Sequence, residues 1–188
     1  PTADREVVSN TLSLTTSSYT DPAGNAGPSA ITSNYEVETL APSVSSIVIS
    51  SATGIQNNFL NAGDIVSVTA TFNESVIVDT ASGTPTLTLV VGSTDRTATY
   101  TSGSGSNSLV FQYTIQAGEN DSDGISIEAN ALALNNATIS DPIGFPAVIT
   151  HSAVSANSSY LVDAQAPPVI SFTLSDTALK VGDNATVI

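Results

Sequence analysis

The feature that most constrains this chain is that it repeats itself. The stretch SNTLSLTTSSYTDPAGNAG (Ser9–Gly27) aligns without a gap to ANALALNNATISDPIGFPA (Ala129–Ala147). Asn10, Leu12, Leu14, Asp21, Pro22 and Gly24 match Asn130, Leu132, Leu134, Asp141, Pro142 and Gly144, at a constant offset of 120 residues. The offset widens to 125 at Tyr35/Tyr160, Val37/Val162 and Pro42/Pro167, within the phrases SNYEVETLAP and SSYLVDAQAP. Further on, LKVGDNATVI (Leu179–Ile188) echoes LNAGDIVSVT (Leu60–Thr69). Matched blocks in a fixed order mark a tandem array, in which each unit is one folded bead.

The matches predict three segments: the last strands of a preceding repeat (1–41), one complete repeat (42–166), and the first strands of a following one (167–188). The Ala-Pro junctions are short. Proline fixes its own φ and restrains the residue before it, so the junctions read as stiff connections rather than flexible tethers.

Within the complete repeat the periodicity is that of strands. In DIVSVTATF, Val66, Val68, Ala70 and Phe72 alternate with Ser and Thr, and in SLVFQYTIQA, Leu109, Phe111, Tyr113 and Ile115 share a face. Ser45–Ala52, TLTLVV (Thr86–Val91) and DRTATYT (Asp95–Thr101) are further strands. GISI, ALAL, ATIS, AVITHSAV and SYLV follow as shorter ones. No amphipathic helix is predicted. About seven strands with closely spaced turns predict an all-β, antiparallel immunoglobulin-like sandwich in tandem array.

Seventeen acids oppose Arg5, Arg96 and Lys180, giving a net charge of −14. Such a chain repels nucleic-acid phosphate and anionic lipid and attracts cations, although acidity also serves solubility alone. There is no Cys, so neither a disulfide framework nor a thiolate metal site is available. No apolar run is long enough for a membrane helix. Without an initiator Met or a signal peptide, the chain reads as an internal segment of something longer.

The Y-x-V-[DE]-x-x-A-P junctions, DPAGN, GDIVSVTATFNESV and AGENDSDGISI together resemble bacterial immunoglobulin-like, cadherin-like tandem repeats of giant surface adhesins of the repeats-in-toxin type. The resemblance covers nearly the whole chain. It implies a secreted, cell-surface location and a calcium-stiffened extender that holds a binding tip away from a cell. One departure stands out: DPAGN at Asp21–Asn25 becomes DPIGF at Asp141–Phe145, so the second copy lacks the Asn.

Calcium takes six to eight oxygen ligands, several of them carboxylates. The densest candidate is GENDSDG, with Glu119, Asp121 and Asp123 before Gly124. It lacks the closing Glu and flanking helices of an EF-hand, and its alternative reading is a solvated acidic hairpin. In a seven-strand sandwich this loop falls at the outgoing end, beside Asp163. Glu74, Asp79 and Asp141 fall at the incoming end, near Glu36 and Glu38. Asp21 plays the part of Asp141 for the preceding repeat. Crowded carboxylates repel unless a cation intervenes, so an ion at each junction would fix the angle between bead and linker.

Other motifs carry less. His151, the only histidine, lies in AVITHSAV without a nucleophile elbow and is expected on a strand face. SGSGSN lacks the Lys and helix of a phosphate loop and reads as a hairpin turn. Tyr35 and Tyr160 are expected as buried anchors of the last strand. No catalytic constellation is found, and no enzyme is predicted. The predicted partners are adjacent repeats or neighbouring copies, which would pair with the incomplete ends. Two alternatives are a self-assembling extracellular filament and an adhesion module for glycan, ice or a cell surface. The latter needs a flat patch, and no regular Thr ladder is visible along the sequence.

Overall fold

The computed structural model describes residues 6–169 except Ser17. Those residues are all β, without a helix. The strands are β1 (Glu6–Asn10), β2 (Ser13–Leu14), β3 (Ala30–Ile31), β4 (Tyr35–Glu38), β5 (Val44–Thr53), β6 (Phe59–Leu60), β7 (Ile65–Asp79), β8 (Thr86–Val91), β9 (Thr94–Ser102), β10 (Ser106–Thr114), β11 (Asn120–Asp121), β12 (Leu132–Ala133), β13 (Thr138–Ser140) and β14 (Leu161–Asp163).

A seven-stranded antiparallel sheet runs β12-β8-β9-β10-β7-β13, with β5 also paired to β7. A small sheet, β11-β14-β6, contains the one parallel pairing among the named strands, β14 with β6. β1 pairs β4, and β2 pairs β3.

Period-two alternation explains the core. Val66, Val68, Ala70 and Phe72 of β7 are buried, as are Leu87, Leu89 and Val91 of β8 and Leu109 and Phe111 of β10. Ile49, Val68, Phe111 and Tyr100 form one cross-strand row. Tyr100 meets Phe111 edge to face, with ring centroids 5.9 Å apart. Leu60, Ile125, Ile127 and Val162 belong to the same buried cluster from outside the large sheet. Burial of each such side chain is worth about 1.5–3 kcal/mol.

Three elements differ from expectation. β7 does not stop at Phe72 but continues to Asp79, because Val76 pairs with Ser106 of β10 and Ile77, Val78 and Asp79 find a second partner in β13 (Ile139 opposite Val78). A register irregularity between Thr71 and Val76 lets the strand change partners. AVITHSAV is not a strand; it makes only isolated bridges, Ser43 to Val148 and Ile127 to Val154. GISI is likewise held by the Val90–Ser126 and Ile127–Val154 bridges. The SGSGSN stretch forms the β9–β10 turn, with φ of +112° at Gly103 and +84° at Gly105.

Tyr160 packs against the core and Val162 is fully buried, whereas Tyr35 is 43 % exposed. Among the described residues the strand of Tyr35 has β1 as its sole sheet partner. The predicted first strands of a following repeat lie almost wholly outside the described residues.

Candidate functional site: carboxylates of the acidic loop and the Asp141 turn

The acidic loop and the outgoing segment are joined by backbone. Asn120 pairs with Asp163 and Asp121 with Val162. The Gly118 N–H donates to the Ala164 carbonyl and the Ala164 N–H to the Glu119 carbonyl, both at 2.9 Å. The topology thus brings GENDSDG and Asp163 together.

The carboxylates of this loop are already engaged. Glu119 is 6 % exposed. Its Oε1 accepts from Arg96 Nε and from the Tyr113 hydroxyl, the latter at 2.5 Å, and its Oε2 accepts the Gln116 N–H at 2.8 Å. Burial, then the bond to Glu119 and that carboxylate's charge, push the Tyr113 phenol well above its ordinary value. Asp121 is 2 % exposed. Its Oδ1 accepts the N–H groups of Asp123 (3.2 Å) and Gly124 (2.7 Å), and its Oδ2 that of Gly92 (2.8 Å). Gly124 has φ +102°, and a Cβ there would lie 2.1 Å from the Asn157 carbonyl oxygen. Only Gly closes the loop this tightly. Asp123 and Asp163 point to solvent, and Asp163 Oδ1 accepts the Gln165 N–H at 3.3 Å.

The Pro42–Ser43 segment is knitted to the middle of β7 through Asn73. The Val148 N–H donates to the Pro42 carbonyl at 2.7 Å, and Ser43 N–H donates to Asn73 Oδ1 at 2.7 Å. Asn73 N–H returns a bond to the Ser43 carbonyl at 3.0 Å. Glu74 is half-buried just beyond. Asp79 is exposed and caps its own turn by accepting the Ala81 N–H at 2.9 Å. Glu38 Oε1 accepts the Leu40 N–H at 2.6 Å, and Glu36 is exposed.

Asp141 is 2 % exposed. Its Oδ1 gathers the N–H groups of Ile143, Gly144 and Phe145 at 2.9, 2.6 and 2.8 Å. Its Oδ2 is buried without a hydrogen-bond partner. In the matching turn Asp21 Oδ1 accepts from Ala23 and Asn25 N–H, both at 2.9 Å. There the second oxygen is satisfied, because Asn25 Nδ2 donates to Asp21 Oδ2 at 2.9 Å. That side-chain bond, aided by the backbone N–H donors, holds the Asp21 carboxyl below the usual range. Phe145 stands where Asn25 does, and its side chain has no donor to offer.

These observations test the fit of a calcium ion. At the outgoing end it is poor: both buried carboxylates are engaged by internal donors, one of them cationic. Among the described residues no group of three or more His, Asp or Glu side chains is arranged to hold a metal. Asp141 Oδ2 differs from these in being a buried carboxylate oxygen without a hydrogen-bond partner.

Two features emerge only in three dimensions. His151 Nδ1 bonds the Ser152 carbonyl at 2.8 Å, so Nε2 is free to accept the Leu132 N–H at 3.3 Å. The ring thereby serves as a backbone partner for β12. The second feature is a hydroxyl and amide row across the large sheet: Ser51, Ser67, Gln112, Thr99 and Thr86 are paired in succession through β5, β7, β10, β9 and β8. Gln112 Nε2 donates to Ser67 Oγ at 3.2 Å within it. The row runs across strands, so no pattern along one strand discloses it; its one signal is the high Ser/Thr content of these strands.

No known protein family, curated protein or solved structure matches this chain. No helix among the described residues is long and apolar enough to cross a membrane.

Proposed function

We propose that this chain is a structural extender of a secreted bacterial surface adhesin, built of immunoglobulin-like repeats in tandem. The observation that carries the reading is the pair of turns at Asp21 and Asp141. They match in sequence at an offset of 120 and in hydrogen bonding. The junction supports it further: Pro42 and Ser43 are bonded into the body of the sheet, as a load-transmitting linker requires. Asp141 is the place where calcium would add stiffness, since an ion there would neutralise a buried oxygen that no hydrogen bond engages.

Small-angle X-ray scattering and thermal melts with calcium and with chelator test this reading. A stiff, elongated particle whose melting midpoint drops on chelation is expected. A compact or freely hinged particle, with no response to calcium, would sink it.

The Ser51–Thr86 row favours a second reading, an adhesion module. A row of uncharged donors and acceptors suits a neutral glycan or ice. Retention on neutral polysaccharide, lost on replacing Thr99 and Gln112 together, is the outcome that would favour it over the extender.

A further inference from the structure

We propose that Arg96 is a built-in counter-ion of the outgoing junction, so that the GENDSDG loop holds its geometry without a metal ion. This rests on reading that loop as a junction element, and it departs from the calcium role that the loop's sequence suggests.

The argument begins with placement. Arg96 is the one Lys or Arg among the described residues of a chain carrying a net charge of −14. It sits on β9 opposite Leu89 of β8, on the face shared with buried Ala98. Strand alternation therefore turns it toward the core face, at the end where the acidic loop crosses, with its side chain 35 % exposed. Tyr113 occupies the matching inward side of the neighbouring β10, after Leu109 and Phe111. Both reach Glu119, and the loop's own Gln116 N–H reaches its other oxygen.

A buried carboxylate needs positive charge and donors, from whatever source. A calcium loop obtains them from the ion. Here a guanidinium supplies the charge while a phenol and a backbone amide supply the remaining donors. Asp121 is treated in the same way with backbone amides alone: Gly92 reaches it from the β8–β9 turn, and Asp123 and Gly124 from its own loop. The two acids therefore tie three separate pieces of chain together: the β8–β9 hairpin, β10, and the loop that pairs with β14. A dication added at Glu119 would meet the fixed guanidinium charge. Arginine suits this post because it stays protonated at any physiological pH and holds a planar donor geometry. The two junctions then differ in kind, one closed by the protein's own cation and one left with an open anionic oxygen at Asp141.

The test is a calcium titration of the full chain followed by backbone amide NMR, with Arg96→Gln and Arg96→Lys alongside. In the wild-type chain the amides of Asn120, Asp121, Gly124 and Asp163 should not move up to millimolar calcium. Arg96→Gln should lower the melting midpoint by roughly 5 °C or more and make those amides calcium-responsive, while Arg96→Lys should recover part of the loss. Should Arg96→Gln not fold, the wild-type titration alone decides. Saturable shifts of those wild-type amides would overturn the proposal. So would an Arg96→Gln chain with unchanged melting and unchanged loop shifts. Neither result depends on particle length or stiffness, so failure here and failure of the extender reading are distinguishable.

Discussion

Asp21 and Asp141 stand 120 residues apart and cap the same turn, each drawing the N–H groups two and four residues ahead onto one carboxylate oxygen. They part at the other oxygen, which Asn25 satisfies in the first turn and nothing satisfies in the second.

That difference makes Phe145→Asn informative. An amide at this position should donate to Asp141 Oδ2 as Asn25 does to Asp21. The expected gain is about 1 kcal/mol, or roughly 3 °C in melting midpoint. The difference between calcium and chelator melts should shrink with it. A variant that keeps the full calcium response would place the ion elsewhere.

Tyr113 predicts an alkaline limb. Its phenol is held well above the ordinary value by burial and by Glu119. The unfolded chain ionises near pH 10 or so, while the folded chain retains the proton. The Tyr113 contribution is therefore complete below that pH and is lost as pH rises above it. Melting midpoints across the alkaline range should fall more steeply for wild type than for Tyr113→Phe, and parallel curves would contradict the assignment.

Gly124→Ala should be severe. The residue has φ +102°, and the new methyl would meet the Asn157 carbonyl. A cost above about 2 kcal/mol is expected, read in urea unfolding as a lowered midpoint at unchanged slope. Gly118→Ala has the same sign of φ but nothing within 4 Å of its Cβ, and should cost less. Equal losses in the two variants would show that strain alone, without the Asn157 contact, governs the loop.

Asn73→Ala should loosen the incoming linker without melting the sheet. It removes the acceptor for the Ser43 N–H but leaves the bond from Asn73 N–H to the Ser43 carbonyl. A stability loss of about 1 kcal/mol is expected, with lowered order parameters at Ser43 and Val44. Unchanged order parameters would assign the linker's stiffness to Pro42 and Val148 instead.

Much of the architecture was legible in the residues. The alternation in β7, β8 and β10 follows from side chains that must point to opposite faces of a pleated strand. The hairpin signals Gly92-Ser93 and SGSGSN act within a few residues. The juxtaposition of GENDSDG with Asp163 could be reasoned from strand parity alone. The passage of β7 beyond Phe72 could not: the NES stretch looks like a turn, and the strand continues past it because β13 arrives from far along the chain to pair with Ile77, Val78 and Asp79. Nor could the failure of AVITHSAV to form a strand, since its alternation is real but only Ser43 and Ile127 offer bridges to it.

The candidate site divides along the same line. By itself the sequence determined which carboxylates exist, which turns recur and where the chain must be extended, because those are local matters of residue type and spacing. Only the tertiary structure decided what each carboxylate does. Glu119 and Asp121 looked like ligands awaiting an ion; folding delivers Arg96, Tyr113 and Gly92 to them from other strands. Asp141 looked like one more acid in a shared turn; folding buries it beside a phenylalanine and leaves one oxygen without a donor. A carboxylate's role is set by what is brought within three ångströms or so of it, and that is fixed by packing across the sheet, not by its neighbours in the chain.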